Sequence, residues 1–230
     1  MSEPYQEVLA KFSRLPIVER IFARMAQELA PNLFYHTVEH SREVLAETLL
    51  LALHDGISGR DLELLSISAA FHDAGYIEQY RDNEPIGAAM AAAAMREQGG
   101  YTDAEIHEVE QMILSTRLYD NTGALQRVGR TPLAAYLMDG DLGNFGRDDF
   151  HEKCQQLIDE NKADPRAFYR QALNLISSHS WHTPAARALR GPKKLENIRM
   201  LRKRLNFDEE QVTEPDLAAK PVADSIPEPS

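Results

Sequence analysis

Cysteine is nearly absent from this chain of 230 residues, and Cys154 is the only one. A single cysteine excludes an intrachain disulfide and any zinc site built from cysteine thiolates. Cys154 stands in a segment with helical pattern, without the surroundings that activate a nucleophilic thiol. These features favour a packing role for Cys154.

Long apolar runs are also missing. The longest, residues 49–53 with a few neighbours, is far shorter than the roughly 20 residues that a bilayer-spanning helix needs. The N-terminus is charged throughout and lacks the apolar stretch of a signal peptide. We therefore expect no membrane partner and a location in the reducing cytoplasm.

Basic residues are outnumbered, with 25 Lys and Arg against 36 Asp and Glu and a net charge of −11. Residues 207–230 hold seven acidic residues, one lysine and four prolines, a net of −6. This composition predicts a disordered acidic tail over residues 207–230, following one domain over residues 1–206. That domain is only mildly acidic and has no recognised nucleic-acid motif, so we expect no nucleic-acid partner.

Sustained strand-like alternation is absent as well, and nearly every segment carries the period of a helix. The sequence predicts an all-α fold, a compact single-domain helical bundle. Helix starts are indicated at Pro16, Thr37 and Asn83, and by a capping box from Thr102 to Glu105. Further helices are predicted over residues 61–75, 148–161 and 164–178 and from residues 131 and 183, with a break at Gly191–Pro192.

Three short segments carry histidines and aspartates that together could bind a metal ion. They contribute His36 and His40, the adjacent His72 and Asp73, and Asp141 in "LMDGDLGNFG". Imidazole nitrogens and carboxylate oxygens suit Mn²⁺, Mg²⁺, Fe²⁺, Ni²⁺ or Zn²⁺, and such an ion can activate water for hydrolysis. The pattern indicates a divalent-metal site, and the identity of the metal stays open.

The His72–Asp73 pair ends a strongly apolar segment, where an unpaired ionised carboxylate would cost several kcal/mol. A metal ion or an arginine would remove that cost. The plainer alternative is a helix that ends at Gly75, with His72 stabilised by the helix dipole and Asp73 in solvent.

A calcium loop beginning at Asp139 is excluded. The EF-hand pattern needs glycine at its sixth position and glutamate at its twelfth, where this chain has Asn144 and Phe150.

Taken in order, these segments resemble the HD-domain superfamily of metal-dependent phosphohydrolases. The matching motifs are the Tyr-His-x-x-x-His pattern of "FYHTVEHSREVL", the doublet of "SAAFHDAGY", and "DGDLGNFG". "DNEPIGAAMA" and "WHTPAARALRGPKKLENIRML" resemble further segments of one branch, so the resemblance spans about residues 30–205. It implies an HD-type helical domain that holds one divalent ion through His40, His72, Asp73 and Asp141.

The resemblance also implies roles around that ion. Asp73 and Glu84 are the candidate catalytic residues, with Glu78 as the other carboxylate considered for acid–base work. His36 and Asn83 are the candidate substrate-binding residues. The expected activity is hydrolysis of a phosphate ester of a small, nucleotide-like molecule, with mono- and diesters both open.

Three positions depart from the branch pattern. Thr37 replaces asparagine, Gly87 replaces serine, and Leu118 stands near an expected histidine. These departures keep open an alternative, a non-catalytic HD-type module for nucleotide sensing or protein contacts. His107 is the only histidine between the doublet and Asp141, and we interpret it as a surface or core residue, which favours one ion over two.

Overall fold

The computed structural model describes residues 3–118 and 131–205, and within these ranges it contains helices and no strand. The all-α prediction is therefore confirmed, while the tail predicted over residues 207–230 lies outside the described residues. The α-helices are α1 (Glu3–Ser13), α2 (Pro16–Glu28), α3 (Val38–His54), α4 (Arg60–Phe71), α5 (Asn83–Gln98), α6 (Asp103–Leu114), α7 (Ala134–Asp141), α8 (Phe150–Asn161), α9 (Pro165–Ser178) and α10 (Pro184–Arg204). Two short 3₁₀ helices cover Ala74–Ile77 and Gly143–Gly146.

Helix starts follow the capping signals in the sequence. The Thr37 side chain accepts a hydrogen bond from the backbone N–H of His40 at 3.3 Å. Thr102 and Glu105 form the complete capping box, with each side chain bonded to the other residue's backbone N–H. Because Thr37 fixes the first turn of α3, it also fixes the position from which His40 projects.

Helix α10 is longer than the sequence predicts. The break expected at Gly191–Pro192 is wrong, because α10 continues through Pro192. A proline inside a helix costs about 3 kcal/mol. Packing on both sides offsets that cost, since Ala185 and Ala186 are buried before the proline, and Leu201 is buried after it.

Helix α4 lies at the centre of the larger hydrophobic core. Leu65, Ile67, Ala69 and Ala70 are fully buried along it, so almost every face of α4 contacts other helices. A second core forms where α8, α9 and α10 pack together, and it reaches Leu51 of α3. None of the helices in the described ranges combines the length and apolar character needed to cross a membrane.

Helices α3 and α7 approach each other closely at Gly140. A Cβ atom on Gly140 would overlap Thr48 Oγ1 and lie 3.1 Å from the Thr48 backbone nitrogen. Only glycine permits this approach, and the next residue along α7 is Asp141. The contact thus sets how far Asp141 lies from α3.

We expect Gly140→Ala to lower the free energy of unfolding by about 1–3 kcal/mol, because the added methyl group pushes α7 away from α3. Denaturant unfolding followed by circular dichroism measures this loss. The double variant Gly140→Ala/Thr48→Ala removes the overlapping hydroxyl and should recover part of it. Equal stability of Gly140→Ala and the wild type would contradict the close approach.

Cys154 is buried in the second core, as its packing role requires. Burial raises the pKa of its thiol to about 12, far above the value of about 8.5 for a free cysteine.

At pH 8 we expect a disulfide reagent such as DTNB to react with Cys154 of the native protein roughly a thousandfold more slowly than with a free thiol. Unfolding in guanidinium should restore ordinary reactivity, and rapid reaction of the native protein would show that Cys154 is accessible.

Candidate metal centre

Three helix ends converge on one buried point. His40 lies in the first turn of α3, His72 and Asp73 form the turn that follows α4, and Asp141 ends α7. Helix α4 ends at Phe71 instead of reaching Gly75 as predicted, and the chain turns at His72 and Asp73 into a 3₁₀ helix. This turn directs the two side chains towards α3 and α7.

Four ligand-type atoms lie close together at this point. His40 Nε2 is 3.2 Å from Asp141 Oδ1 and 3.5 Å from Asp73 Oδ2, and His72 Nε2 is 3.5 Å and 3.2 Å from the same two oxygens. Ligand atoms about 2.1 Å from a shared ion are separated by roughly 3.0–3.5 Å. The buried group of His40, His72 and Asp73 could therefore hold a metal ion, with Asp141 facing both histidines.

Two of these atoms have no hydrogen bond among the described residues. His72 Nε2 and Asp73 Oδ2 are buried and lie 3.2 Å apart without hydrogen-bond geometry. His72 Nδ1 is 2.8 Å from the carbonyl oxygen of Ala69 and so donates its hydrogen there. This contact leaves the Nε2 lone pair directed at the cluster, as in metal-ligating histidines. The donor set and the unsatisfied atoms both fit a divalent ion.

The electrostatics of the cluster follow from its carboxylates. Burial disfavours charge on His72, but Asp73 and Asp141 outweigh burial and raise the pKa of His72 well above its usual value. Burial likewise opposes ionisation of Asp73, yet His72 and the other imidazoles lower its pKa. Positive charge between the carboxylates is therefore stabilising, and a divalent ion would supply it.

Asn83 supports the cluster from α5. Its buried side-chain amide donates to Asp73 Oδ1 at 3.4 Å, which leaves Asp73 Oδ2 facing the histidines. The substrate-binding role of Asn83 stays a prediction, since the contact found in the structure orients a candidate ligand. Asn83 is also the first residue of α5 instead of its cap, a position that Asp82 takes in the left-handed conformation.

Gly87 has a steric explanation. A Cβ atom there would lie 2.5 Å from the carbonyl oxygen of Phe71, at the end of α4. Gly75 is equally constrained by the backbone of Asn83. Glycine in place of serine at position 87 therefore lets α5 pack against the turn that carries His72 and Asp73.

Glu84 lies on the side of the cluster formed by α5. Burial raises the pKa of Glu84, and the charges of Asp73 and Asp141 raise it further. Arg117 Nε lies 3.8 Å from Glu84 Oε2. Glu78 is exposed to solvent, so the geometry favours Glu84 as the acid–base residue.

His36 lies beside the cluster, just before the cap of α3, with its ring centroid 6.1 Å from that of His40. Its partner is Glu160 of α8, which sequence reasoning missed. Burial lowers the pKa of His36, but the hydrogen bond to Glu160 outweighs burial and raises it. No local pattern marks Glu160, because its contacts are 124 and 125 residues away along the chain.

A small pocket opens beside Asp141. Thr116, Arg117, His179 and His182 are among the residues that line it. Burial lowers the pKa of His179 to about 2, so this ring is neutral. Both nitrogens of His179 are buried without a partner among the described residues.

His107 lies away from the cluster. Its side chain is 69 % exposed on α6, 3.8 Å from Glu110 of the same helix. Of the two roles considered for His107, surface or core residue, the structure shows the surface one.

We expect the EDTA-stripped protein to bind one equivalent of Mn²⁺. Asp141→Asn should weaken this binding at least about tenfold, because a charged ligand is lost. At a free concentration of 100 times Kd, Mn²⁺ should stabilise the wild type by about 2.7 kcal/mol. Titration calorimetry and thermal unfolding measure both effects. His107→Ala is the control and should bind Mn²⁺ like the wild type, whereas equal affinity in Asp141→Asn would place the ion elsewhere.

The sequence matches no family model, no curated protein and no solved structure in comparisons with each. The resemblance of its motifs to the HD-domain superfamily therefore stays a prediction, and the residues of the cluster carry the functional inference.

Proposed function

We propose that this chain is a metal-dependent phosphohydrolase of the HD-domain type that cleaves a phosphate ester of a small, nucleotide-like molecule. One observation carries the proposal: the buried residues His40, His72 and Asp73 bring their ligand atoms together, with unsatisfied atoms among them, and Asp141 faces both histidines. A divalent ion held there would polarise a phosphoryl oxygen and acidify the attacking water.

The remaining steps fall to side chains of the chain itself. Asp73 is ionised and accepts a proton from the water whose oxygen forms the new bond to phosphorus. Glu84, whose raised pKa favours its protonated form, donates a proton to the leaving oxygen as the phosphorus–oxygen bond breaks. Asn83 keeps Asp73 in place through its hydrogen bond.

The surroundings support a small anionic substrate. Arg117, which pairs with Asp82 and lies 3.8 Å from Glu84, lines the pocket beside Asp141 and supplies positive charge for a phosphate group. His182 adds a second nitrogen donor to the same pocket. The pocket, with a cavity volume of about 30 Å³, is too small for a macromolecule.

The alternative, a non-catalytic sensing or interaction module, is favoured by the departures from the family pattern at Thr37 and Leu118. Leu118 lines the pocket where a histidine was expected from the family pattern, so one polar contact is missing there. Gly87 no longer favours this alternative, because its size is required for packing against α4.

A panel of nucleotides, cyclic nucleotides and simple phosphate esters tests the proposal, with EDTA-stripped protein resupplied with Mn²⁺, Mg²⁺, Fe²⁺, Ni²⁺ or Zn²⁺. We expect metal-dependent turnover in the wild type and none in Asp73→Ala. Nucleotide binding without turnover would favour the sensing module. Turnover that persists in Asp73→Ala would contradict the site.

We expect Glu84→Gln to lower kcat by about 10²–10⁴-fold, because glutamine cannot donate the proton that the leaving oxygen needs. Steady-state kinetics with the best substrate of the panel measures this loss. Glu97→Gln, an exposed position on the same helix, is the matched control and should turn over like the wild type. A larger loss in Glu78→Gln than in Glu84→Gln would reverse the assignment.

A further inference from the structure

We propose that Glu160 is a positioning residue that holds His36 so that its Nε2 atom binds a phosphoryl oxygen of the substrate. This inference rests on the proposed function, because it gives the phosphate group of that substrate a binding partner beside the metal ligands. It adds a residue of α8 to a site otherwise built from α3, α4, α5 and α7.

Glu160 uses both of its oxygens. Its buried carboxylate accepts backbone N–H bonds from Tyr35 at 2.8 Å and His36 at 3.2 Å through Oε2. The other oxygen, Oε1, is 2.5 Å from His36 Nδ1 and 3.0 Å from the Tyr80 hydroxyl. A carboxylate that only capped this loop would need Oε2 alone. The contact between Oε1 and the imidazole is additional and fixes the orientation of the ring.

Aromatic rings hold the rest of the imidazole. Tyr76 stacks on its face at a centroid distance of 4.3 Å and an angle of 24°. The ring of Tyr35 meets it nearly perpendicularly at 4.9 Å, and that of Tyr80 at 6.2 Å. Negative ring faces and a carboxylate together favour the charged imidazolium.

These contacts leave one edge of His36 for a ligand. Nδ1 is occupied by Glu160 and one face by Tyr76, so Nε2 is the polar atom that remains. The His36 ring lies 6.1 Å from that of His40, close enough for a phosphate group beside the four ligand atoms to reach Nε2. An imidazolium donating to a phosphate oxygen forms a charge-assisted hydrogen bond.

Two substitutions separate the roles of the two nitrogens. His36→Asn retains an amide near Nδ1 that can donate to Glu160, but it removes Nε2. Glu160→Gln retains an oxygen for the backbone N–H groups of residues 35 and 36, but it removes the negative charge that favours the imidazolium. Glu105→Gln is the matched control, because Glu105 also accepts a backbone N–H and pairs with an arginine, at the start of α6.

The first readout is the affinity of Mn²⁺-loaded protein for inorganic phosphate, measured by calorimetry. We expect His36→Asn and Glu160→Gln each to weaken phosphate binding about ten- to a hundredfold, since a charge-assisted bond is lost. The double variant should be no weaker than His36→Asn alone, because Glu160 acts through His36. Glu105→Gln should bind phosphate like the wild type, and all variants should retain Mn²⁺ affinity.

The second readout needs neither metal nor substrate. In ¹⁵N-labelled, metal-free protein, the short bond to Glu160 should move the His36 Nδ1 proton strongly downfield in the NMR spectrum. The signal should vanish in Glu160→Gln and persist in Glu105→Gln. If Glu160→Gln does not fold, this wild-type signal and the phosphate affinity of His36→Asn decide the question.

The inference is overturned if phosphate does not bind to the Mn²⁺-loaded wild type, or if Glu160→Gln or His36→Asn binds it as tightly as the wild type does. Additive losses in the double variant would also overturn it, because they would mean that Glu160 acts independently of His36. A wild type that binds phosphate through His36 but turns over no ester would refute the proposed function and support this inference. If Asp73→Ala loses turnover while Glu160→Gln binds phosphate as tightly as the wild type, the proposed function is supported and this inference is refuted.

Discussion

Two carboxylates buried against two imidazoles impose the main constraint on this fold. His40 lies on α3, His72 and Asp73 lie in the turn after α4, and Asp141 ends α7; the four distances between the imidazole nitrogens and the carboxylate oxygens are 3.2–3.5 Å. Burying such charges is costly unless positive charge lies between them. The ends of α3, α4 and α7 must therefore be held close together, and the packing around them keeps them in place.

Three consecutive residues of α7 fix its position relative to α10, to α3 and to the two histidines. The buried Asp139 carboxylate accepts the backbone N–H groups of His182 and Thr183 at 2.7–3.1 Å, which fixes the start of α10 beside the pocket. Gly140 permits the close approach to α3, and Asp141 faces the histidines. A shift of α7 would therefore disturb the pocket, the helix contact and the candidate ligand together.

The sequence predicts the parts of this site that are encoded locally. A cap such as Thr37 acts within one turn of its helix, and His72–Asp73 is a motif of adjacent residues, so both are visible in a short window. Glu160 could not be predicted, because nothing near it indicates contacts with Tyr35 and His36. The continuation of α10 through Pro192 was missed for a related reason: the local cost of proline is offset by tertiary packing that no local pattern contains.

The pattern of unsatisfied atoms argues that the cluster is built for a cation instead of being poorly packed. The carboxylates of Asp139 and Glu160 are each met by several donors. Among the buried side-chain atoms without a partner in the described ranges, Asp73 Oδ2 is the only carboxylate oxygen. A buried carboxylate oxygen without a hydrogen bond is costly, and here it faces two imidazoles, one of them held with its lone pair inward. The cluster therefore has the charge and the spacing of ligand atoms that could hold a metal ion.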